Sequence, residues 1–439
     1  LKYASNLLRW LFFAFLMAHG AAFAEDSTPG EANQIHANKD NAADHQVLVM
    51  LHLPSPHYRP DASYAGQYGN DSGHAARRRI AEELARAHGL VLVNDWPMPA
   101  LGVDCYVMED PARGSAAHLV DVLSQDKRIE WVQPMSTFHA LGKEPQNVPQ
   151  NDPLYPAQPS AGLWHLNDLH RVATGRNVVV AVIDSGVQDN HPDLQGQVAI
   201  KENFVDGNPY AAEQHGTAVA GIIAAIAGNG VGIEGIAPNA RLMALRACWQ
   251  MPERGTQCNS FTLGKAINFA IAHDANVINL SLGGPPDRLL QRLLEVALRK
   301  GIRVVAAVDP DVADGGFPAA LSGVLAVAGF DPRQGGAQRG VLFAPGRDIP
   351  TTAPGGGWNF VSGSSYAAAH ISGMVALLGE LRPGLTIGQV HDQMANAGFE
   401  SDEKGVMRGV DACATIGRIT GNCPCLCNAA HVSKTNYTP

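Results

Sequence analysis

Charge is sparse in this sequence. Only 17% of its 439 residues are charged, the formal net charge is −9, and no cluster of Lys or Arg stands out. That argues against a general nucleic-acid binder. Long apolar runs are missing too. The run from Trp10 to Ala18 is too short to span a bilayer, and no later stretch is long and apolar enough to do so. Common zinc spacing is absent, because Cys423-Pro-Cys425-Leu-Cys427 leaves single residues between its thiols. No internal repeat is found, and no motif for a cofactor.

What is present points outward from the cell. Lys2 and Arg9, the short apolar run, and Ala22-Phe23-Ala24 before Glu25 read as an export signal over residues 1–24. The expected product is secreted or periplasmic, with no membrane span after signal removal. Its seven cysteines then meet a disulfide-permissive compartment. Cys248 and Cys258, ten residues apart, are expected to close the loop between them, with a gain of about 3 kcal/mol. Cys413, Cys423, Cys425 and Cys427 allow three pairings, and sequence does not choose among them. Cys105 falls within a predicted strand and reads as a buried thiol.

With 46% apolar residues the chain can bury more than one core. Residues 25–44 are polar and read as a spacer. Over 45–135 the pattern is strand, helix, strand, strand, helix, strand, the ferredoxin-like α+β plan. Val47, Val49, Leu51 and Leu53 give its first strand a half-buried alternation. Residues 136–155 turn to Pro, Gln, Asn and Gly and read as a linker. Over 156–412 continuous apolar strands (177–183, 241–247, 277–282, 304–308) alternate with helical stretches (214–227, 261–273, 289–299, 365–381), as in a parallel α/β sheet. Residues 413–439 form a short Cys-rich tail with no core of its own.

Three polar residues lie at predicted strand ends or helix starts: Asp184, His215 and Ser365. Each has an ordinary alternative, a turn aspartate, a capping histidine and an N-cap serine. Together they are the parts of a nucleophilic hydroxyl, its base and the carboxylate that fixes the base's tautomer. Their local sequences are Asp184-Ser185-Gly186-Val187 with His191-Pro192-Asp193-Leu194, His215-Gly216-Thr217-Ala218-Val219-Ala220-Gly221, and Gly363-Ser364-Ser365-Tyr366-Ala367-Ala368-Ala369-His370.

In that order these motifs resemble those of the subtilisin-like serine proteases, over about residues 155–412. The resemblance implies a subtilisin-like parallel-sheet catalytic domain in which Ser365 attacks a peptide carbonyl, His215 carries the proton and Asp184 orients His215. It implies polypeptide substrates, which Ser281, Leu282, Gly283 and Gly284 would bind as an added strand. The 45–135 unit is similar to the family's inhibitory propeptide, so a self-processed zymogen inhibited by its own propeptide is expected. Calcium is possible by family, but no specific motif supports it, and no cofactor is expected. Acidic turns such as Asp206-Gly207-Asn208 read as loops.

One position departs from the family. A strand ending in Ala-Ala-Gly-Asn is usual, its asparagine donating to the oxyanion; here Ala306-Ala307-Val308 leads into Asp309-Pro310-Asp311. Pro310 has no donor to offer at that place. A one-residue slip would put Asp309 or Asp311 there, and a carboxyl serves only when protonated. A catalytically weak or inactive protein kept for binding is therefore the alternative expectation.

Overall fold

The computed structural model describes residues 42–52, 68–140, 143–146, 154–251, 255–330, 340–396, 409–422 and 424–425. The expected export signal lies outside the described residues, as do Leu141, Gly142, Cys423 and Cys427.

The first unit runs β1 (Gln46–His52), α1 (Tyr68–Ala87), β2 (Val91–Met98), β3 (Val103–Glu109), α2 (Ala116–Leu123) and β4 (Ile129–Pro134). Its strands form one antiparallel sheet in the order β2-β3-β1-β4, the ferredoxin-like arrangement. Alternation along β1 sorts side chains to two faces. Val47, Val49 and Leu51 pack with Leu84, Leu119 and Leu123 of the helices. Leu48 and Met50 are not solvated, however. They join a core with Phe261, Leu289 and Leu293 of the main body, so β1 is buried on both faces rather than half-buried.

The main body begins where a linker was read, with two short strands, β5 (Thr137–Ala140) and β6 (Lys143–Gln146). There follow α3 (Pro159–Leu163), α4 (Leu166–His170), β7 (Val179–Asp184), β8 (Val198–Asn203), α5 (Gln214–Ala224) and β9 (Arg241–Arg246). Next come β10 (Cys248–Met251), β11 (Gly255–Asn259), α6 (Ser260–Ala272), β12 (Val277–Leu280), β13 (Leu282–Gly283), α7 (Arg288–Arg299) and β14 (Arg303–Ala307). The remainder is β15 (Leu325–Phe330), β16 (Leu342–Pro345), β17 (Ile349–Ala353), β18 (Gly357–Ser362), α8 (Ser364–Leu381), α9 (Ile387–Ala395) and α10 (Ala412–Thr420).

Seven strands form a parallel sheet in the order β16-β15-β14-β12-β7-β9-β8. Both faces are covered, which is why the strands read as unbroken apolar runs. On β7, Val180 and Val182 face a core with α5 and α8. Ala181 and Ile183 face the opposite core with α6 and α7. Helix α7 shows the one-sided spacing of such a cover, with Leu289, Leu290, Leu293, Leu294 and Ala297 buried. Its N-cap Asp287 accepts the Leu290 N–H at 2.9 Å. Helix α8 is apolar all round and buried from Ser365 to Gly379.

Among the described residues, no helix is long and apolar enough to cross a membrane. Cys248 and Cys258 are disulfide-bonded across the hairpin β10–β11, and Cys413 is bonded to Cys425. Cys105 is a buried thiol. Helix α10 opens at the expected start of the tail, yet Cys413, Ile416 and Ile419 join the main core.

His370 on α8 is buried. Its Nδ1–H donates to the Tyr366 carbonyl at 2.8 Å, and Trp164 meets its ring edge-on at 5.7 Å. Burial pushes this imidazole down from the ordinary 6.5 to about 4. The unfolded chain therefore takes up a proton first as pH falls. Stability held above about pH 6.5 should be lost progressively down to pH 4, by about 3 kcal/mol. Urea unfolding of wild type and His370→Asn at pH 7 and pH 4.5 checks this. The variant should lose less stability between the two, and equal losses would refute the assignment.

Candidate active site

The carboxyl ends of the parallel strands converge on one edge of the sheet, where sites gather in this architecture. Asp184 is the last residue of β7, and His215 lies in the first turn of α5. Ser365 is the second residue of α8. All three are buried.

His215 Nδ1 lies 2.8 Å from Asp184 Oδ1 and 3.0 Å from Oδ2. Asp184 Oδ1 also accepts the Ser185 N–H at 2.6 Å. With an ionised carboxylate against it, Nδ1 carries the ring proton and Nε2 is left as the basic nitrogen. The two loops touch main chain to main chain. A Cβ on Gly216 would lie 2.1 Å from the Ser185 carbonyl oxygen, and one on Gly186 would lie 1.7 Å from that of Ala211. Only glycine permits this approach. Tyr366 flanks the imidazole, ring centroids 5.4 Å apart.

Ser365 is fixed by a reciprocal pair of bonds. Its hydroxyl donates to the Ser281 carbonyl at 2.9 Å, and the Ser281 hydroxyl donates to the Ser365 carbonyl at 2.8 Å. Asn279 Nδ2 donates to the Ser281 hydroxyl at 3.0 Å, and Ser372 donates to Asn279 Oδ1 at 2.8 Å. The serine backbone N–H sits at a helix N-terminus, which favours negative charge nearby.

Of the residues expected to bind an extended chain, Leu282 and Gly283 pair with a strand of this same chain. β5 pairs antiparallel with β13, Ala140 opposite Leu282 and His139 opposite Gly283. Its other edge pairs with β11, His139 opposite Gln257 and Phe138 opposite Cys258. β6 pairs with β18, Lys143 opposite Ser362. β5 thus lies beside the strand that follows Ser281, and β6 beside the strand leading to Ser365. Phe138 is fully buried, 6.1 Å from the Phe317 ring. Gly284 N–H donates to the Phe317 carbonyl at 3.0 Å.

The loop Asp309-Pro310-Asp311 follows β14. Leu280 pairs with Ala306, so the loop leaves the sheet beside Ser281. The Asp309 N–H donates to Gly315 O at 2.8 Å, and Asp309 Oδ1 accepts the Asp311 N–H at 2.9 Å. Pro310 and Asp311 are exposed.

Two features have no counterpart in the sequence reading. One is the placement of β5 and β6, four-residue strands whose partners lie more than a hundred positions away in the chain. The other is Glu213, which lies two residues before His215 and forms a buried ion pair with Arg246. The distance between those two positions gives no local signal.

A family model described as the subtilase family matches residues 175–411. Subtilisin E of Bacillus subtilis (strain 168) is 35% identical over 235 residues, covering 50% of this chain and 60% of that protein. A thermophilic serine proteinase of Bacillus sp. (strain AK1) is 33% identical over 295 residues, covering 64% of this chain and 71% of it. The chain thus spans about 60% of the length of subtilisin E. The fold is shared with the crystal structure of fervidolysin from Fervidobacterium pennivorans, described as a keratinolytic enzyme related to subtilisin. The TM-score is 0.64 at 23% identity, over 85% of this chain and 60% of that one.

Proposed function

This chain belongs to the subtilase family, and we propose that it is a secreted serine endopeptidase made as a self-processed zymogen. The observation that carries the reading is the register of β5. Ala140 lies opposite Leu282, the residue after Ser281. The Ser281 carbonyl holds the Ser365 hydroxyl, and on the far side Lys143 pairs with Ser362. In this reading the cut falls between Ala140 and Lys143, at the junction of these two strands.

In this reading Ser365 Oγ attacks the carbonyl carbon of the scissile bond and passes its proton to His215 Nε2. The imidazolium so formed is stabilised by Asp184 and then protonates the leaving amine as that bond breaks. Water, deprotonated by His215, releases the acyl group and restores Ser365. β5 then remains as part of the bound product, and the ferredoxin-like unit acts as an intramolecular inhibitor.

Its hold on the main body is extensive. The Arg288 and Arg292 guanidinium groups both lie over the Trp131 ring, at 5.1 and 5.0 Å. Gln133 Oε1 accepts N–H bonds from both Trp131 Nε1 and the Leu289 backbone, each at 3.0 Å. Substrates in trans would follow the same pattern, with a large apolar residue where Phe138 is buried.

The test is mass spectrometry of the exported protein from a host lacking other proteases. Wild type should lose everything up to a cut between Ala140 and Lys143, and Ser365→Ala should keep the junction intact. A Ser365→Ala protein cut at the same bond would end the self-processing claim.

A further inference from the structure

Glu213 makes four hydrogen bonds with one carboxylate, and they reach three different parts of the site. Oε2 accepts the Gly186 N–H at 2.8 Å and Arg246 Nε–H at 2.9 Å. Oε1 accepts Arg246 Nη2–H at 2.9 Å and the Gln250 N–H at 3.1 Å. The Glu213 main-chain N–H donates to the Gly186 carbonyl at 2.8 Å. Gly186 lies two residues past Asp184, and Glu213 itself is the N-cap of the helix that carries His215. Arg246 is the register partner of Asp184 on β9, and Gln250 belongs to β10 of the hairpin.

We infer that Glu213, paired with Arg246, is a positioning residue that fixes the substrate-binding hairpin relative to the Asp184–His215 pair. The inference rests on the endopeptidase reading above. The hairpin hangs from the end of β9 and is cross-linked by Cys248–Cys258. Its outer strand β11 supplies one of the two edges that hold the extended chain. Among the described residues, the Gln250 N–H on Glu213 Oε1 and the Gln214 N–H on Gln250 Oε1 at 3.2 Å tie the hairpin's first strand to the start of the His215 helix. Both converge on Glu213 or its neighbour. Burial alone would push the Glu213 carboxyl up, but bonds from Arg246, Gly186 and Gln250 hold it below its ordinary range, so it stays charged.

A buried ion pair contributes little net stability over a well-packed apolar pair. Its value here is geometric. A dry carboxylate with all its acceptor sites filled tolerates little displacement of its partners. Arg246 is further held by Asn203 Oδ1 at 3.2 Å and Pro209 O at 3.4 Å, which fixes the fork from behind.

The experiment compares two substrates on processed enzyme, each rate normalised to active sites counted with an acylating inhibitor. One is an anilide of Phe-His-Ala-Leu, long enough to pair with β11. The other is an acyl-Leu ester that does not reach it. Glu213→Gln should lower kcat/KM on the long substrate by up to about 10²-fold, mainly through KM, and on the short one only a few-fold. Arg246→Lys should recover part of the loss, and Glu213→Gln with Arg246→Met should be no worse than Glu213→Gln alone. Equal losses on both substrates, or none, would overturn the inference.

If wild type shows no Ser365-dependent turnover, the endopeptidase reading fails by itself. Amide exchange still decides the positioning role. In Glu213→Gln, exchange in Gly255–Asn259 should quicken while that in α7 stays unchanged. An unmoved hairpin refutes the role whether or not the enzyme turns over.

Discussion

Asp184→Asn should reduce kcat by about 10⁴-fold with KM little changed. In the native protein the Asp184 carboxylate faces His215 Nδ1 at 2.8 and 3.0 Å, and a carboxylate can only accept. The imidazole is thereby held with its proton on Nδ1 and its lone pair on Nε2. An asparagine can turn its NH₂ toward Nδ1, which then becomes the acceptor and sends the ring proton to Nε2. That nitrogen can no longer take the proton of Ser365. The substituted amide also cannot stabilise the imidazolium that forms during attack. Steady-state kinetics on a short peptide, with folding checked by near-UV circular dichroism, would measure the effect. A loss below tenfold would show that Asp184 does not set the tautomer.

Pro310→Asn should act in the opposite direction, raising kcat by up to about 10²-fold with KM nearly constant. In the proposed reaction the tetrahedral intermediate carries an oxyanion, and the Ser365 backbone N–H would be one donor to it. Proline supplies neither a side-chain donor nor an N–H. A missing donor weakens transition-state binding and leaves substrate binding alone, so the deficit falls on kcat. If a protonated Asp309 or Asp311 serves instead, Pro310→Asn should change little. Asparagine at the aspartate concerned would then extend activity to higher pH. The Asp309 carboxylate is already engaged by the Asp311 N–H, which favours the proline explanation. No change in kcat for any of the three asparagine variants over a full pH range would mean another group donates.

Most of the main sheet is readable without coordinates, for a physical reason. Parallel strands covered on both faces must be continuously apolar, as Val179–Ile183 and Val277–Leu280 are. The helices between them keep a 3.6-residue period, as α7 does with Leu289, Leu293 and Ala297. The motif residues at strand ends and helix starts were legible because small residues must surround them.

The hairpin β17–β18 was not legible. Its Thr351 and Thr352 look solvent-facing, but they are buried with their hydroxyls on the Ala218 and Thr217 carbonyls of α5, each at 2.7 Å. Nor did the sequence reveal that the loop expected between Cys248 and Cys258 is a paired hairpin. The strands β5 and β6 are too short to show a period, and what makes them strands is the groove they lie in. Glu213 was missed because its meaning depends on Arg246, brought alongside by the sheet.

The chain in the groove is held as two paired strands, Thr137–Ala140 and Lys143–Gln146. Any protein taking its place must offer a comparable length free of its own structure. A folded domain does so only in its locally opened states, whose populations fall tenfold for every 1.4 kcal/mol of opening free energy. A segment that costs about 5 kcal/mol to open would be cut about 10³–10⁴ times more slowly than the same segment in a denatured chain. Against folded proteins, the cleavage rate would therefore read out the target's own opening equilibrium. Two targets with identical sequence at the cut could differ by orders of magnitude, with the difference residing wholly in the target.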